Sequence, residues 1–492
     1  MKRESSAPEA AARRTAAMVT PNMFKDAPSD SAAIQSAVDL AASRGEPVLI
    51  PALNERTGAS LWVISETIGL PSGMTLYLDN CRLRMADGVF CNCLSNAKAW
   101  IPARGDPANE EHDIHIVGIG NAVLDGGEFN GWGERTRPGG AFQEDVRAHV
   151  ASLPKSLVHN CPIYFHNVRR FSIRGVKIYH QRYWGMCFSV CSEGEIRDIA
   201  FEADFSWVSA DGKTRDPNRR PDSYANLWVK NGDGIDLRAG CHDILIENIS
   251  GFTEDDTVAL TNVPMGRTAK ADAVVGMDPD IHHVTIRNVR AWCWCSMNLV
   301  RILGTDGGKV HDVTIDGVYE MRPPDKDWRS GSAIQINDSR DEYRYNKHPE
   351  TSDTRNISIA NVSSCSGAAI RVFEGVENLR IENVTATDGA ETALLVKDHT
   401  TFRNCSIRGI KCTPTARIGS VIDLHEAHGD LLVSGVEACG ARHVLRLSDS
   451  DIDVTLENDK VEKLAGERIV RLERGDPDCG PHQPDLDSRI PE

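Results

Sequence analysis

One short pattern recurs along this chain and limits what it can fold into: a branched or aromatic apolar residue, any residue, Ile, a polar residue, Asn or Gly, then Val or Ile. It reads Ile244-Leu-Ile-Glu-Asn-Ile249, Val284-Thr-Ile-Arg-Asn-Val289, Val313-Thr-Ile-Asp-Gly-Val318, Ile357-Ser-Ile-Ala-Asn-Val362 and Leu379-Arg-Ile-Glu-Asn-Val384. Weaker copies stand at Phe171-Ser-Ile-Arg-Gly-Val176 and at residues 402–405. Asn361, Asn383 and Asn404 are 22 and 21 residues apart, whereas Asn248 and Asn288 are 40 apart, with a loop expected between them. Periods just above 20 with short alternating strands mark a solenoid, one coil per repeat. The alternation puts one side of each strand inside and the other outside. The recurring Asn or Gly suits a tight bend, because both tolerate left-handed backbone and Asn adds side-chain hydrogen bonds. The expected fold is all-β: a single-stranded right-handed parallel β-helix of roughly ten coils.

A solenoid changes what the length of 492 residues means. A globular chain of this size divides into several domains, but coils that contact only their neighbours extend as one unit. Residues 1–22 read as a flexible N-terminus, 23–470 as the β-helix catalytic domain and 471–492 as a polar tail. Open solenoid ends need covering. Residues 31–43, SAAIQSAVDLAAS, place Ala33, Ile34, Ala37, Val38 and Ala41 on one helical stripe, with Asp30 as the expected N-cap. This is the expected N-terminal capping helix. Two polar stretches, near 130–156 and 203–226, read as inserted loops.

Composition narrows the class. Lys+Arg number 55 against 71 Asp+Glu, a net charge of -16, which argues against nucleic acid and membrane surfaces as partners. No run approaches the roughly 20 apolar residues of a membrane span, and no apolar segment follows Arg13-Arg14 to make a leader. The 14 cysteines are scattered, and Cys91/Cys93 and Cys293/Cys295 lack metal-site spacing. Reduced, buried thiols and a cytoplasmic location are the expectation. No metal and no cofactor are expected, since Cys-x-x-Cys, His-x-x-x-His and helix-opening Gly-x-Gly-x-x-Gly patterns are missing.

The chemistry concentrates in Asn231-Gly-Asp-Gly-Ile-Asp-Leu237 and Thr253-Glu-Asp-Asp-Thr257. From Asp233 to Asp255 is 22 residues, one coil, and stacked coils lie about 4.8 Å apart. Asp233, Asp255 and Asp256 are thereby expected on one patch, with Asp236 and Glu254 nearby. Clustered carboxylates raise the pKa of at least one member, supplying an acid beside an ionised base. Inverting glycoside hydrolysis uses such a pair.

These residues resemble glycoside hydrolase family 28, the polygalacturonase-like members of the pectin-lyase-like β-helix superfamily. The family's Asn-x-Asp followed by Asp-Asp one coil later is similar to Asn231-Gly232-Asp233 and Asp255-Asp256. Residues 29–52 resemble its capping segment, and Gly118-Ile-Gly-Asn-Ala-Val-Leu-Asp-Gly126 its Gly-x-Gly…Asp-Gly coil. Tyr183-Trp184 stands where the family has a cleft aromatic. The resemblance covers about residues 30–338 and implies that Asp255 is the general acid, with Asp233 and Asp256 holding and deprotonating water. Two family positions differ here. Asn298, in Ser296-Met-Asn-Leu-Val-Arg-Ile302, is nearest the place of a supporting His, and Ala333-Ile334-Gln335 replaces an Arg-x-Lys carboxylate clamp, leaving Arg301 on the preceding coil as the nearby cation. A glycoside other than ordinary polygalacturonate is implied.

The candidate substrate-binding residues are thus Asn231, Asp236, His180, Trp184, Asn298, Arg301 and Gln335, with Tyr183, Trp207, Trp292 and Trp294 as further sugar-stacking candidates. His180 either lines the cleft or packs as a structural histidine; Trp292 and Trp294 either stack on sugar or pack at coil ends. His242, His282 and His283 are expected in exposed turns. The expected activity is inverting hydrolysis of an oligo- or polysaccharide. The alternatives are a lyase or epimerase, and a carbohydrate-binding solenoid without catalysis.

Overall fold

The computed structural model describes residues 18–473 except 88, 90, 128–160, 182–183, 210–213, 220, 222–225, 227, 229–231, 265–269, 271, 294–296, 324–328, 339–349, 414–417, 440, 458–459 and 463–469. Among these residues 27 strands join one parallel, right-handed β-helical ladder, preceded by the α-helix Asp30–Arg44. A coil consists of a short strand and a longer one, as in Val258–Asn262 followed by Ile281–Cys293, then Asn298–Gly304 followed by Val310–Glu320.

The isoleucine of the repeat is the inward rung. Val48, Leu76, Ile116, Ile173, Ile196, Ile246, Ile286, Ile315, Ile359, Ile381, Ile407, Val433 and Leu456 stand in register, thirteen rungs where roughly ten were expected. All but Leu456 are at most 1% exposed. Branched side chains stacked in this way fill the narrow interior, and each buried one contributes about 1.5–3 kcal/mol.

Two residues further along lies the corner. Gly175, Asp198, Asn248, Asn288, Gly317, Asn361, Asn383, Gly409 and Gly435 all have φ between 52° and 82°. Asn and Asp occupy this left-handed region at least cost after Gly. The amides also link coil to coil: Asn288 Nδ2 donates to Asn248 Oδ1 (2.8 Å), and Asn248 Nδ2 to Asp198 Oδ1 (2.9 Å). Asn404 is not part of this ladder. The rung after Asn383 is Gly409, and Asn404 belongs to a second left-handed corner in which its Nδ2 donates to Asn378 Oδ1 (2.6 Å) and Asn378 Nδ2 to Asn356 Oδ1 (2.9 Å).

The helix Asp30–Arg44 buries the expected stripe of Ala33, Ile34, Ala37, Val38 and Ala41 against the first rungs. Its cap differs from expectation. Ser29 accepts from Ala32 N, while Asp30 opens the helix and is buried, accepting from Val63 N, Asn54 and Arg56. Order begins ahead of residue 23, since Val19 pairs with Val48 and Pro21–Met23 form a 3-10 turn. The 203–226 stretch is not all loop: Trp207–Val208 pairs antiparallel with Arg215–Asp216. Residues 130–156, 1–17 and 474–492 lie outside the described residues. His242 and His282 start strands and are half-buried; together with His311 they form a stack with ring centroids 4.8 and 5.1 Å apart. The described cysteines are free and most are buried. Among the described residues no helix is long and apolar enough to cross a membrane.

The corner ladder predicts an ordering of variants. Asn288→Gly keeps the left-handed backbone and loses only the side-chain hydrogen bonds with Asn248 and Arg290. Asn288→Ala loses the same bonds and adds about 1–2 kcal/mol of backbone strain. Urea unfolding is expected to show Asn288→Ala as clearly the less stable of the two.

Candidate active site

The three aspartates sit where the long strand of one coil turns into the short strand of the next. Asp233 precedes Ile235–Leu237, Asp255 and Asp256 precede Val258–Asn262, and Asn298 begins Asn298–Gly304. Ile235 pairs with Val258, so the coil step is 23 residues and Asp256, not Asp255, lies opposite Asp233. Backbone bonds confirm this step: Gly234 N donates to Asp256 O (2.8 Å), and Thr257 N to Asn298 O (3.1 Å). Gly234 has no room for a side chain, because a Cβ there would lie 2.4 Å from Thr257 O. The turn itself is tied down by Thr253 Oγ1, which donates to Asp255 O at 2.6 Å, with Cys293 Sγ 3.0 Å from the same oxygen.

Carboxylate oxygens of Asp233, Asp255 and Asp256 lie within 4.8 Å of one another. The three side chains are 9%, 5% and 0% exposed. Asp256 is the most constrained. Its Oδ1 accepts from Asn298 N and Nδ2, both at 2.9 Å, and Arg301 Nη1 lies 3.4 Å from its Oδ2. Ser332 Oγ donates to Asn298 Oδ1 (2.6 Å), which turns the amide nitrogen toward Asp256. Burial, and then the neighbouring Asp255, push the Asp256 carboxyl up to about 6, with Arg301 and Asn298 pulling the other way. The three oxygens are close enough to share a cation, although Asp256 already accepts from three donors.

The other candidates divide into two groups. Asp236, Arg301 and Gln335 share one outward ladder, running Cys187, Asp236, Ala259, Arg301, Gln335. Arg301 Nη2 also reaches Asp338 Oδ2 at 2.6 Å, and Gln335 Nε2 donates to Asp338 Oδ2 at 3.3 Å. Trp184 lies on the coil before Asp233, its neighbour Gly185 donating to Asp233 O (2.8 Å). The indole is 5% exposed, packs with Cys161, Tyr164 and Cys187, and is covered by Arg238 5.1 Å from its ring centroid. His180 is buried in a separate column, stacked on Tyr179, and burial lowers its pKa to about 3. Trp292 is buried against Phe205 and Phe252, and Trp207 is capped by Arg219 at 3.8 Å. Asn231, Tyr183 and Trp294 lie outside the described residues.

Several site residues carried no sequence signal. Asp338 lies in no repeat. Asp272 and Val275 come from the connection between Val258–Asn262 and Ile281–Cys293. Asp272 Oδ2 accepts from Tyr164 Oη and Ser189 Oγ, both at 3.0 Å, its carbonyl meets a His166 ring nitrogen at 2.7 Å, and Val275 N bonds Gly105 O at 2.9 Å. Burial raises the Asp272 carboxyl to about 6. Asp272 thus covers the sheet face at Tyr164 and Ser189, on the N-terminal side of Asp233.

No family model and no curated relative matches the chain. Solved structures with the same architecture are found. A hyperthermoactive exopolygalacturonase from Thermotoga maritima aligns with a TM-score of 0.50 at 16% identity, over 90% of this chain and 87% of that one. The tailspike protein of E. coli bacteriophage HK620, solved with a pentasaccharide, aligns with a TM-score of 0.53 at 13% identity, over 90% and 74%. At these identities the likeness is one of fold.

The Asp255–Asp256 repulsion has a measurable cost. A carboxyl whose pKa is raised on folding binds its proton more tightly in the native state, so its stabilising contribution is present at low pH and is lost as pH rises through about 6. Asp255→Asn is therefore expected to raise the melting temperature at pH 8 by about 1–3 °C, with the gain vanishing near pH 4.

Proposed function

We propose that the chain is an inverting glycoside hydrolase, organised like the polygalacturonase-type enzymes whose motif it resembles. The observation that carries this is the buried trio of Asp233, Asp255 and Asp256 on two successive coils, with one member's pKa raised to about 6. The shared fold with an exopolygalacturonase and a glycan-bound tailspike supports a carbohydrate ligand. In this reading Asp255 protonates the leaving glycosidic oxygen as the C1–O bond breaks. A water held by Asp233 and Asp256 adds its oxygen to C1 and passes its proton to that pair. Asn298, oriented by Ser332, fixes the Asp256 carboxylate from the side where the family places a histidine.

The sugar at the reacting bond is uncharged. Gln335 replaces the clamp, and Arg301 is already matched by Asp256 and Asp338. The same pairing leaves Arg301 unsuited to serve as the free base of a lyase or epimerase. Asp272, held by Tyr164 and Ser189, bounds the cleft on one side, which favours cleavage near a chain end.

Reducing-end release from a panel of neutral and mixed oligosaccharides tests the reading. Asp255→Asn is expected to lose about 10²–10⁴-fold in kcat, and NMR of the first product should show the inverted anomer. Activity should fall as pH drops below about 6, because Asp256 must be ionised to take the proton of the attacking water. Glycan binding with no product from the wild-type chain would select the non-catalytic alternative. Release of mixed long fragments from the outset would overturn chain-end action.

A further inference from the structure

The outward ladder of Asp236, Arg301 and Gln335 continues one coil further to Arg371. Neighbouring cations on this face are matched: Arg301 by Asp256 and Asp338, and Arg446 by Asp423 at 3.1 Å. Arg371 is different in forming no ion pair among the described residues, and its buried Nε has no hydrogen-bond partner. The two carboxylates that act on it through space, Asp338 and Glu391, are engaged by Arg301 and Arg329 respectively. Half-buried Lys397, on the next coil, adds a second positive charge that acts on the same spot, offset in part by Asp398 and Asp423. A guanidinium stays charged at any working pH, and holding it half-buried with no carboxylate in contact is unfavourable. In a chain of net charge -16, carboxylates were abundant enough to supply one. Gly367 keeps the approach open, since a Cβ there would lie 3.3 Å from Arg371 Nη2.

We infer that Arg371, with Lys397 beside it, is an anion-binding subsite that takes an oxyanion group of the glycan, a carboxylate or an ester-linked sulfate. Asp256 lies on the coil of Ala259, and Arg371 is three coils on, a displacement of about 14 Å along the solenoid axis at about 4.8 Å per coil. The substrate class is therefore a glycan that is neutral at the reacting bond and carries its charge further along the chain. This rests on the proposed function only in naming a glycan as the ligand. The planar fork of Arg371 suits a bidentate oxyanion, and Lys397 adds a point charge.

Calorimetric titration of the full-length chain with glucuronate, glucose 6-sulfate and glucose at low ionic strength tests the subsite. At least one of the two anionic sugars is expected to bind, and glucose to bind at least tenfold more weakly; the tighter of the two identifies the oxyanion. Arg371→Gln should weaken that binding at least tenfold, and Arg371→Lys should recover part of it, which separates recognition from a folding defect. Equal affinity of Arg371→Gln and wild type, or no preference of the wild type for either anionic sugar over glucose, overturns the inference. The titration needs no turnover, so an inactive Asp255→Asn chain is expected to give the same affinities. A failure of hydrolysis and a failure of anion binding are therefore read separately.

Discussion

From Gly175 to Gly435 nine successive coils turn their backbone through a left-handed corner, and that steric requirement supports the rest of the molecule. Where Asn288, Asn361 or Gly317 takes φ near +50 to +80°, the two limbs of a long strand can face different sides of the coil while both keep pairing with the coils above and below. Without the corner the inward isoleucines would not converge on one interior. With it, Ile246, Ile286, Ile315, Ile359 and Ile381 stack as a single column. Stability is distributed along this column, with each rung held by its two neighbours.

The aspartate site exploits the same stacking for a purpose that opposes stability. Pairing at the coil step brings Asp233 over Asp256, while chain connectivity adds Asp255, so three negative charges meet away from water. The surroundings hold the geometry and only partly neutralise it. Asn298 donates twice, Ser332 fixes the Asn298 amide, and Arg301 stands at 3.4 Å with its other arm on Asp338. Burial, and then the residual repulsion of Asp255, hold the Asp256 carboxyl at about 6, so that it becomes a base only near neutral pH.

The column and the cap were legible in the sequence because each repeats a simple period: two in the strands and 3.6 in the helix. All five residues of the helical stripe are buried. What the sequence concealed has a common cause. A solenoid with coils of unequal length has no fixed offset, so a spacing of 22 placed Asp255 over Asp233 when the step is 23, and Asn404 was set in the wrong corner. Outward positions are harder still, because their neighbours come from loops several coils away. Trp184 reads as a sugar platform yet is covered by Arg238, and Trp292, for which stacking and packing are both open in the sequence, packs against Phe205 and Phe252. Asp272, Asp338 and Arg371 each stand outside any pattern and take meaning only from what the coils bring to them. The free, mostly buried thiols matched expectation, since burial of a small apolar side chain needs no partner residue.

The unequal coils have a consequence for how such a protein changes over time. The corner ladder passes from Asn361 to Asn383 in 22 residues but from Gly317 to Asn361 in 44, with no break in register. Extra chain leaves the stack at one edge and returns to the same rung. Insertion and deletion are therefore nearly neutral for the scaffold and decisive for what borders the groove. In such a molecule, descent with new specificity proceeds by exchanging whole segments between conserved anchoring points, more as a building is refitted inside a standing frame than as its stones are recut one at a time.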